Sequence, residues 1–143
     1  MRSGTENIYG IVGMAKAFDV AYRDMEKNKL YISELKSYFA GQLKTVFPEV
    51  IFNAGSDQQG LYNLISAGFP EPYKNEMLLQ NLDIKGVAVS GGSACSSGAS
   101  GKSHVLSAIN ANEDVPVIRF SLSKFNTRDE IDETMEVLKR ILL

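Results

Sequence analysis

Cys95 is the only cysteine of the chain, and its neighbours suit a thiol that reacts rather than one that packs. The segment 90–101 reads Ser-Gly-Gly-Ser-Ala-Cys-Ser-Ser-Gly-Ala-Ser-Gly, with four glycines and five serines around the thiol. A free cysteine more often serves as a small core hydrophobe. Here no large apolar side chain lies within five residues to bury it, so the composition favours a nucleophilic thiol on a loop.

Arg119 lies inside an alternating apolar stretch, residues 117–122, that predicts a β-strand. The alternation places Ile118 and Phe120 toward a core and Arg119 on the other face. Three interpretations stay open for the guanidinium. It could form an ion pair with Asp or Glu, point into solvent, or bind a ligand carboxylate with its two-pronged fork.

Two further segments contain polar residues that point less specifically to a function. His104 follows Ser103, an N-cap residue type, and is more simply a polar residue of a first helical turn than a base for Cys95, although a Cys–His pair stays open. The stretch Arg2-Ser3-Gly4-Thr5 is either a flexible start or a phosphate-binding turn ahead of a helix, where anions are favoured.

The composition indicates one globular domain and excludes several classes of function. The chain has 143 residues and a net charge of −2, with no basic stripe to bind nucleic acid. No apolar run approaches the ~20 residues of a membrane helix. One cysteine and one histidine exclude an internal disulfide and a four-ligand Cys/His zinc site, and no metal is expected. A lone thiol suits the cytoplasm, where cysteines stay reduced.

Hydrophobic periodicity predicts the elements that must hold these residues. Helices are expected over roughly 7–25, 31–46 and 77–82, after the N-cap Ser103, and after the capping box that Thr127 opens. Strands are expected over 50–52, 61–66, 87–89 and 117–122. This order predicts an α+β fold, with a small, mainly antiparallel sheet and helices on one face.

Several motifs in this order resemble one family. They are Arg2-Ser3-Gly4-Thr5-Glu6-Asn7, Gly10-Ile11-Val12-Gly13, Gly92-Ser93-Ala94-Cys95-Ser96-Ser97-Gly98, Ser103-His104-Val105-Leu106 and Ile118-Arg119-Phe120-Ser121. Together they resemble the C-terminal part of NifS-like cysteine desulfurases, which are fold-type I pyridoxal phosphate (PLP) enzymes of the class V aminotransferase superfamily. The resemblance implies that residues 1–25 form a linking helix from a large PLP domain missing here. It implies that residues 26–143 form the C-terminal small domain, with its catalytic loop at about 90–102.

The resemblance also implies a mechanism for the parent enzyme, the full-length protein to which this chain would belong. The parent would convert L-cysteine to L-alanine with PLP and leave a persulfide on Cys95. Arg119 matches the arginine that holds the substrate carboxylate, and Thr5 matches a threonine that contacts the PLP phosphate across a dimer interface. The lysine that holds PLP would lie outside this chain, so the chain alone is expected to bind no PLP and to be inactive. The resemblance assigns no role to His104.

The implied partners are L-cysteine, an iron–sulfur scaffold or other sulfur-acceptor protein, and a second copy of the parent in a homodimer; neither nucleic acid nor a membrane is expected. Two alternatives stay open. The chain could be a non-enzymatic carrier that accepts a persulfide on Cys95, or part of a selenocysteine lyase relative with the same fold. The Ser-Ala-Cys-Ser-Ser-Gly context around the thiol favours the desulfurase.

Overall fold

A computed structural model describes residues 3–91, 103–112 and 114–143, and these contain five α-helices and four strands. In chain order the elements are α1 (Ile8–Arg23), α2 (Met25–Val46), β1 (Ile51–Phe52), β2 (Leu64–Gly68), α3 (Leu78–Ile84), β3 (Ser90–Gly91), α4 (His104–Ala108), β4 (Val117–Ser121) and α5 (Arg128–Leu142). A short 3₁₀ turn, Asn53–Gly55, follows β1. The order of elements agrees with the one expected from periodicity.

The four strands form one antiparallel sheet in the order β1-β2-β4-β3. Strand β4 is therefore interior, with β2 on one side and β3 on the other. Its register is fixed on both sides, because Ile118 lies opposite Ala67 of β2 and opposite Gly91 of β3. The predicted α+β class with an antiparallel sheet is confirmed.

One face of the sheet carries the hydrophobic core. Ile65 of β2 and Phe120 of β4 are buried there, and the Phe39 ring of α2 meets the Phe120 ring edge to face at 4.9 Å and 82°. Helices α2, α3 and α5 cover this face with buried side chains that include Leu35, Leu43, Leu78, Leu82, Ile131, Met135 and Leu138. Fully burying each such side chain contributes about 1.5–3 kcal/mol, so this face holds the fold together.

Two helices start at the N-cap residues that the sequence predicts, Ser103 and Thr127. Thr127 Oγ1 accepts a hydrogen bond from Glu130 N–H at 3.2 Å, and the Glu130 carboxylate accepts one from Thr127 N–H at 3.0 Å. This reciprocal pair is the predicted capping box of α5. Ser103 Oγ accepts from Leu106 N–H at 3.4 Å and begins α4. These bonds satisfy amide groups that have no partner within the helix.

Two strand predictions are wrong at their boundaries. Strand β2 starts at Leu64 rather than Leu61, because the Leu61 carbonyl accepts bonds from Leu64 N–H and from the Lys36 ammonium and so belongs to a turn. The strand expected over 87–89 pairs only at Ser90–Gly91. Val87 N–H instead donates to Leu82 O at 2.9 Å, which ties that stretch to the end of α3.

Helix α1 differs from the other long helices because none of its residues is buried. Its apolar side chains are exposed on more than one side; Tyr9 is 93% exposed and Phe18 67%. In the described part of the chain, no helix is long and apolar enough to cross a membrane. The interpretation of residues 1–25 as a linking helix, separate from residues 26–143, stays a prediction.

Candidate functional site

The sheet face opposite the core borders a cavity of about 500 Å³. Strand alternation turns Leu64 and Ser66 of β2, and Val117 and Arg119 of β4, toward this face. The rest of the wall comes from the turn after β1, the loop 59–61 and helix α4 with its cap. Among the described residues of this lining, Arg119 and His104 are the only ones with ionisable side chains, and none is acidic. The cavity therefore favours an anion over a cation.

Arg119 lies between two serines on neighbouring strands. It is opposite Ser66 of β2 and opposite Ser90 of β3. Its Nε–H donates a hydrogen bond to Ser90 Oγ at 3.0 Å, and the side chain is partly buried. Among the described residues, no carboxylate lies within ion-pair distance of Arg119. Within the described residues, then, no ion pair accounts for this arginine.

A hydrogen-bonded polar cluster forms the part of the cavity wall beside Arg119. Asn53 Nδ2 donates to Ser66 Oγ at 3.2 Å, and the Ser56 hydroxyl bonds to the backbone of Ser66. These three residues line the cavity and were not singled out from the sequence. Alternation along β2 would have turned Ser66 away from the core, but nothing local in the sequence brings Asn53 and Ser56 beside it.

His104 is the first residue of α4 and lines the same cavity as Arg119. The Ser103 cap directly before it confirms the predicted position in a first helical turn, and the choice between a polar helix residue and a partner of Cys95 stays open. The structure adds that this turn faces the arginine cavity, which the sequence separation did not reveal.

Of the predicted site residues, Thr5 stands apart from this cavity. Thr5 is exposed in the irregular stretch before α1 and is not part of the cavity lining. Helix α1 follows it, and the side chain of its N-cap, Asn7, accepts a hydrogen bond from Gly10 N–H at 3.0 Å. Cys95 and Arg2 lie outside the described residues, as does most of the predicted loop at about 90–102.

The one buried lysine among the described residues does not serve as a candidate for holding PLP. Lys36 is 5% exposed, and burial lowers the pKa of its ammonium group, with Asp57 acting in the opposite direction. A lowered lysine pKa can mark a nucleophile. However, Lys36 Nζ donates to the carbonyls of Gln59 at 3.2 Å and Leu61 at 2.8 Å. Those bonds anchor the loop 59–61, and among the described residues of the cavity lining there is no lysine.

The described residues thus include a group that could bind the substrate carboxylate of a PLP enzyme, but not a lysine at the cavity that could hold the cofactor. Arg119 offers the donors that a substrate carboxylate needs. The cofactor aldehyde requires a lysine amine, and none of the described lining residues is a lysine. In the described residues no group of three or more His, Cys, Asp or Glu side chains could hold a metal ion.

The fold recurs in solved structures of NifS-like proteins. One NifS-like protein superposes with a TM-score of 0.77 at 27% identity, over 99% of this chain and 35% of its own. A second, from Rickettsia africae, superposes with a TM-score of 0.79 at 27% identity, over 98% of this chain and 36% of its own. Both comparisons place the whole chain on one part of a longer protein.

Residues 1–134 match the family described as aminotransferase class-V, and the chain belongs to that family. It is 40% identical to cysteine desulfurase IscS of Dictyoglomus turgidum, over 99% of this chain and 36% of that protein. It is 41% identical to cysteine desulfurase IscS of Pseudoalteromonas translucida, over 97% of this chain and 34% of that protein. The chain therefore spans about a third of the length of the curated relatives it matches.

Proposed function

We propose that this chain is the C-terminal part of a PLP-dependent cysteine desulfurase. In it, Arg119 binds the carboxylate of L-cysteine and Cys95 takes its sulfur. The observation that carries the proposal is the arginine itself, a partly buried guanidinium at the wall of a cavity. A charge taken partly out of water needs an anionic partner. The described residues supply none, and a ligand carboxylate matches the guanidinium in charge and geometry.

The surroundings of Arg119 support the same assignment. Its cross-strand neighbours, Ser66 and Ser90, are neutral and add hydroxyl groups without cancelling the positive charge. The amide of Asn53 adds a further polar group at the cavity wall. Among the described residues, an amino acid bound here would meet the positive charge of Arg119 and several neutral polar groups.

The proposed place of Cys95 follows from its neighbours along the chain. Ser90, shortly before the segment 92–102, bonds to Arg119, and Ser103, directly after it, lines the cavity. In the proposed reaction the Cys95 thiolate attacks the sulfur of L-cysteine, an S–S bond forms, and the substrate C–S bond breaks. The bond's electron pair stays with the carbon, which takes a proton and leaves as L-alanine. A thiol and L-cysteine thus give a persulfide and L-alanine, with no external oxidant.

When bound, PLP supplies the electron sink that makes the substrate C–S bond breakable. We propose that residues outside this chain hold it and that Thr5 is this chain's contribution. The Thr5 hydroxyl is exposed just ahead of α1, a position that suits a phosphate oxygen. Because Thr5 is not in the lining of the Arg119 cavity, we propose that it reaches the PLP phosphate of a partner subunit in a homodimer.

The fate of the sulfur completes the proposal. A persulfide on Cys95 would pass to an iron–sulfur scaffold or another sulfur-acceptor protein through attack by an acceptor thiolate. We propose the cytoplasm as the compartment, because a lone reactive thiol stays reduced there.

The test of Cys95 uses the parent enzyme and its Cys95→Ser variant. After incubation with L-cysteine, intact mass should show one added sulfur atom on the wild type and none on the variant. Alanine release should fall to background in the variant, while binding of L-cysteine, followed by the PLP absorbance, should persist. A variant that still releases alanine at the wild-type rate would remove Cys95 from the mechanism. If the chain alone gains the sulfur from a complete desulfurase, the carrier alternative is favoured instead.

The test of Arg119 compares Arg119→Ala and Arg119→Lys in the parent enzyme. Loss of a charge-assisted pair should raise KM for L-cysteine roughly 10- to 100-fold in the alanine variant. Lysine keeps the charge but loses the fork and should recover only part of this. The matched control is Arg128→Ala, since Arg128 stacks on the Tyr38 ring, away from the cavity, with its guanidinium carbon 4.9 Å from the ring centroid. A wild-type KM in Arg119→Ala would contradict the proposal.

A further inference from the structure

We propose that Ser90 is a positioning residue that sets which edge of Arg119 binds the substrate carboxylate; this inference rests on the proposed function. A guanidinium can bind a carboxylate with two parallel bonds along either of two edges. One edge is formed by the terminal nitrogens Nη1 and Nη2, and the other by Nε and its neighbouring Nη. Ser90 Oγ accepts the Nε–H bond at 3.0 Å, which occupies the second edge. The ligand carboxylate is therefore directed to the terminal edge.

The backbone holds Ser90 in place for this contact. Ser90 lies directly opposite Arg119 in the antiparallel pairing of β3 with β4. Directly opposed residues keep their Cβ atoms about 4.5–5.5 Å apart. The short serine side chain therefore reaches the first nitrogen of the arginine and not its far end. Ser90 is the first residue of β3, so the contact depends on the register of that strand against β4.

The side chains of the two serines that flank Arg119 have different hydrogen-bond partners. Ser66 is opposite Arg119 on the other side, but its hydroxyl accepts a bond from Asn53 Nδ2 at 3.2 Å. In the described part of the chain, only Ser90 offers a side-chain oxygen that is bonded to Arg119. The positioning role therefore falls to β3 and not to β2.

Because the Ser90 hydroxyl is neutral, it can accept the Nε–H bond without cancelling the charge of Arg119. An aspartate in place of Ser90 would also accept the Nε–H bond, but it would neutralise the charge that the ligand needs. A serine oxygen orients the guanidinium and leaves its positive charge for the incoming carboxylate. The arginine is thus ordered in advance, which reduces the entropy lost when the ligand binds.

The experiment isolates the single oxygen atom by comparing Ser90→Thr with Ser90→Val in the parent enzyme. Both side chains are β-branched, suit a strand and have nearly the same shape, but only threonine keeps the acceptor. We expect Ser90→Thr to stay near wild type. We expect Ser90→Val to raise KM for L-cysteine roughly tenfold, as loss of about one hydrogen bond to a charged group would, with kcat within about twofold. Ser121→Ala, on the same face of β4 but outside the cavity lining, is the matched control.

A second ligand separates positioning from general damage. Cysteamine is L-cysteine without its carboxylate, so its binding does not use Arg119. Its half-saturation, followed by the PLP absorbance, should be the same in wild type, Ser90→Thr and Ser90→Val. Equal losses for both ligands in Ser90→Val would mean a general structural defect and would overturn the inference.

The remaining outcomes distinguish this inference from the proposed function. If Ser90→Val keeps the wild-type KM while Arg119→Lys raises it, Arg119 binds the carboxylate without help from Ser90, and only the inference fails. If Arg119→Lys also keeps the wild-type KM, the carboxylate is bound elsewhere, and the proposed role of Arg119 fails together with the inference.

Discussion

The Ser56 hydroxyl bonds to both backbone groups of Ser66. It accepts from Ser66 N–H at 3.0 Å and donates to Ser66 O at 3.1 Å. Backbone pairing between β1 and β2 covers Ile51 with Gly68 and Phe52 with Ala67, and then β1 gives way to the 3₁₀ turn. On the β1 side of Ser66, where strand pairing has ended, the Ser56 hydroxyl thus takes the place of a strand partner. It also shapes the cavity wall beside Arg119.

Ser56→Ala should destabilise the 143-residue chain by about 1–3 kcal/mol, because it leaves two partly buried backbone groups without a partner. Thermal or urea unfolding followed by circular dichroism measures this. The control is Thr45→Ala, which removes a hydroxyl bond to Gly41 O on the exposed side of α2 and should change stability by no more than about 0.5 kcal/mol. Equal effects of the two substitutions would show that Ser56 has no special role.

The capping box of α5 should make stability depend on pH at the acid end. Hydrogen bonds from the Asn126 side chain and then from Thr127 N–H lower the pKa of Glu130 below its ordinary value. The folded state therefore favours the charged carboxylate. Its stabilising contribution is complete above the unfolded pKa of about 4.3 and is lost as pH falls through the lower, folded pKa.

Glu130→Gln tests this dependence, since glutamine can also close a capping box but does not titrate. The melting temperature of the wild type should fall more steeply than that of the variant as pH drops below about 4.3. Glu49→Gln serves as the comparison, because Glu49 is exposed and, among the described helices, it is not part of a capping box. Parallel curves for the wild type and Glu130→Gln across this pH range would contradict the prediction.

Two glycine-to-alanine substitutions should have opposite signs. Gly86, just after α3, has φ of +83°, a left-handed conformation that costs an L-residue about 1–2 kcal/mol, so Gly86→Ala should destabilise by about that amount. Gly41 lies within α2, and a Cβ there would meet nothing within 4 Å. Gly41→Ala should therefore stabilise by up to about 1 kcal/mol. Urea unfolding of both variants checks the pair, and a shared sign would be inconsistent with these backbone conformations.

Phe39→Ala should destabilise the chain by about 3–5 kcal/mol, because it removes a buried ring and leaves a cavity against Phe120. Phe125→Ala is the matched control, since that ring is 79% exposed. Its loss should cost no more than about 0.5 kcal/mol. Chemical unfolding of both variants measures the contrast. Similar losses would mean that the Phe39 contact is not part of the main core.

Local patterns were sufficient for much of the fold and for the identity of the main candidates. Helical spacing predicted α1 and the later part of α2, and Thr127 with Glu130 correctly predicted the start of α5. Strand alternation correctly placed Phe120 in the core and Arg119 on the other face. These features depend on residues close in sequence, so the sequence alone determines them.

The tertiary structure decided which distant residues meet. Ser90 and Arg119 are 29 positions apart, and their contact exists because β3 pairs with β4 in one register. The turn after β1 brings Asn53 and Ser56 to Ser66 in the same way. Even the start of β2 depended on the distant Lys36, whose ammonium bonds to the Leu61 carbonyl.

Local sequence patterns were therefore enough to predict the α+β class and the capping box, and to single out Cys95 and Arg119 as candidates. The three-dimensional fold was needed to show that Arg119 faces a cavity whose described wall has no acidic residue, and that Ser90 accepts its Nε–H bond. The physical reason is that helical turns and strand faces arise from contacts a few residues apart. A binding site requires strand register and long-range hydrogen bonds, which local patterns do not encode.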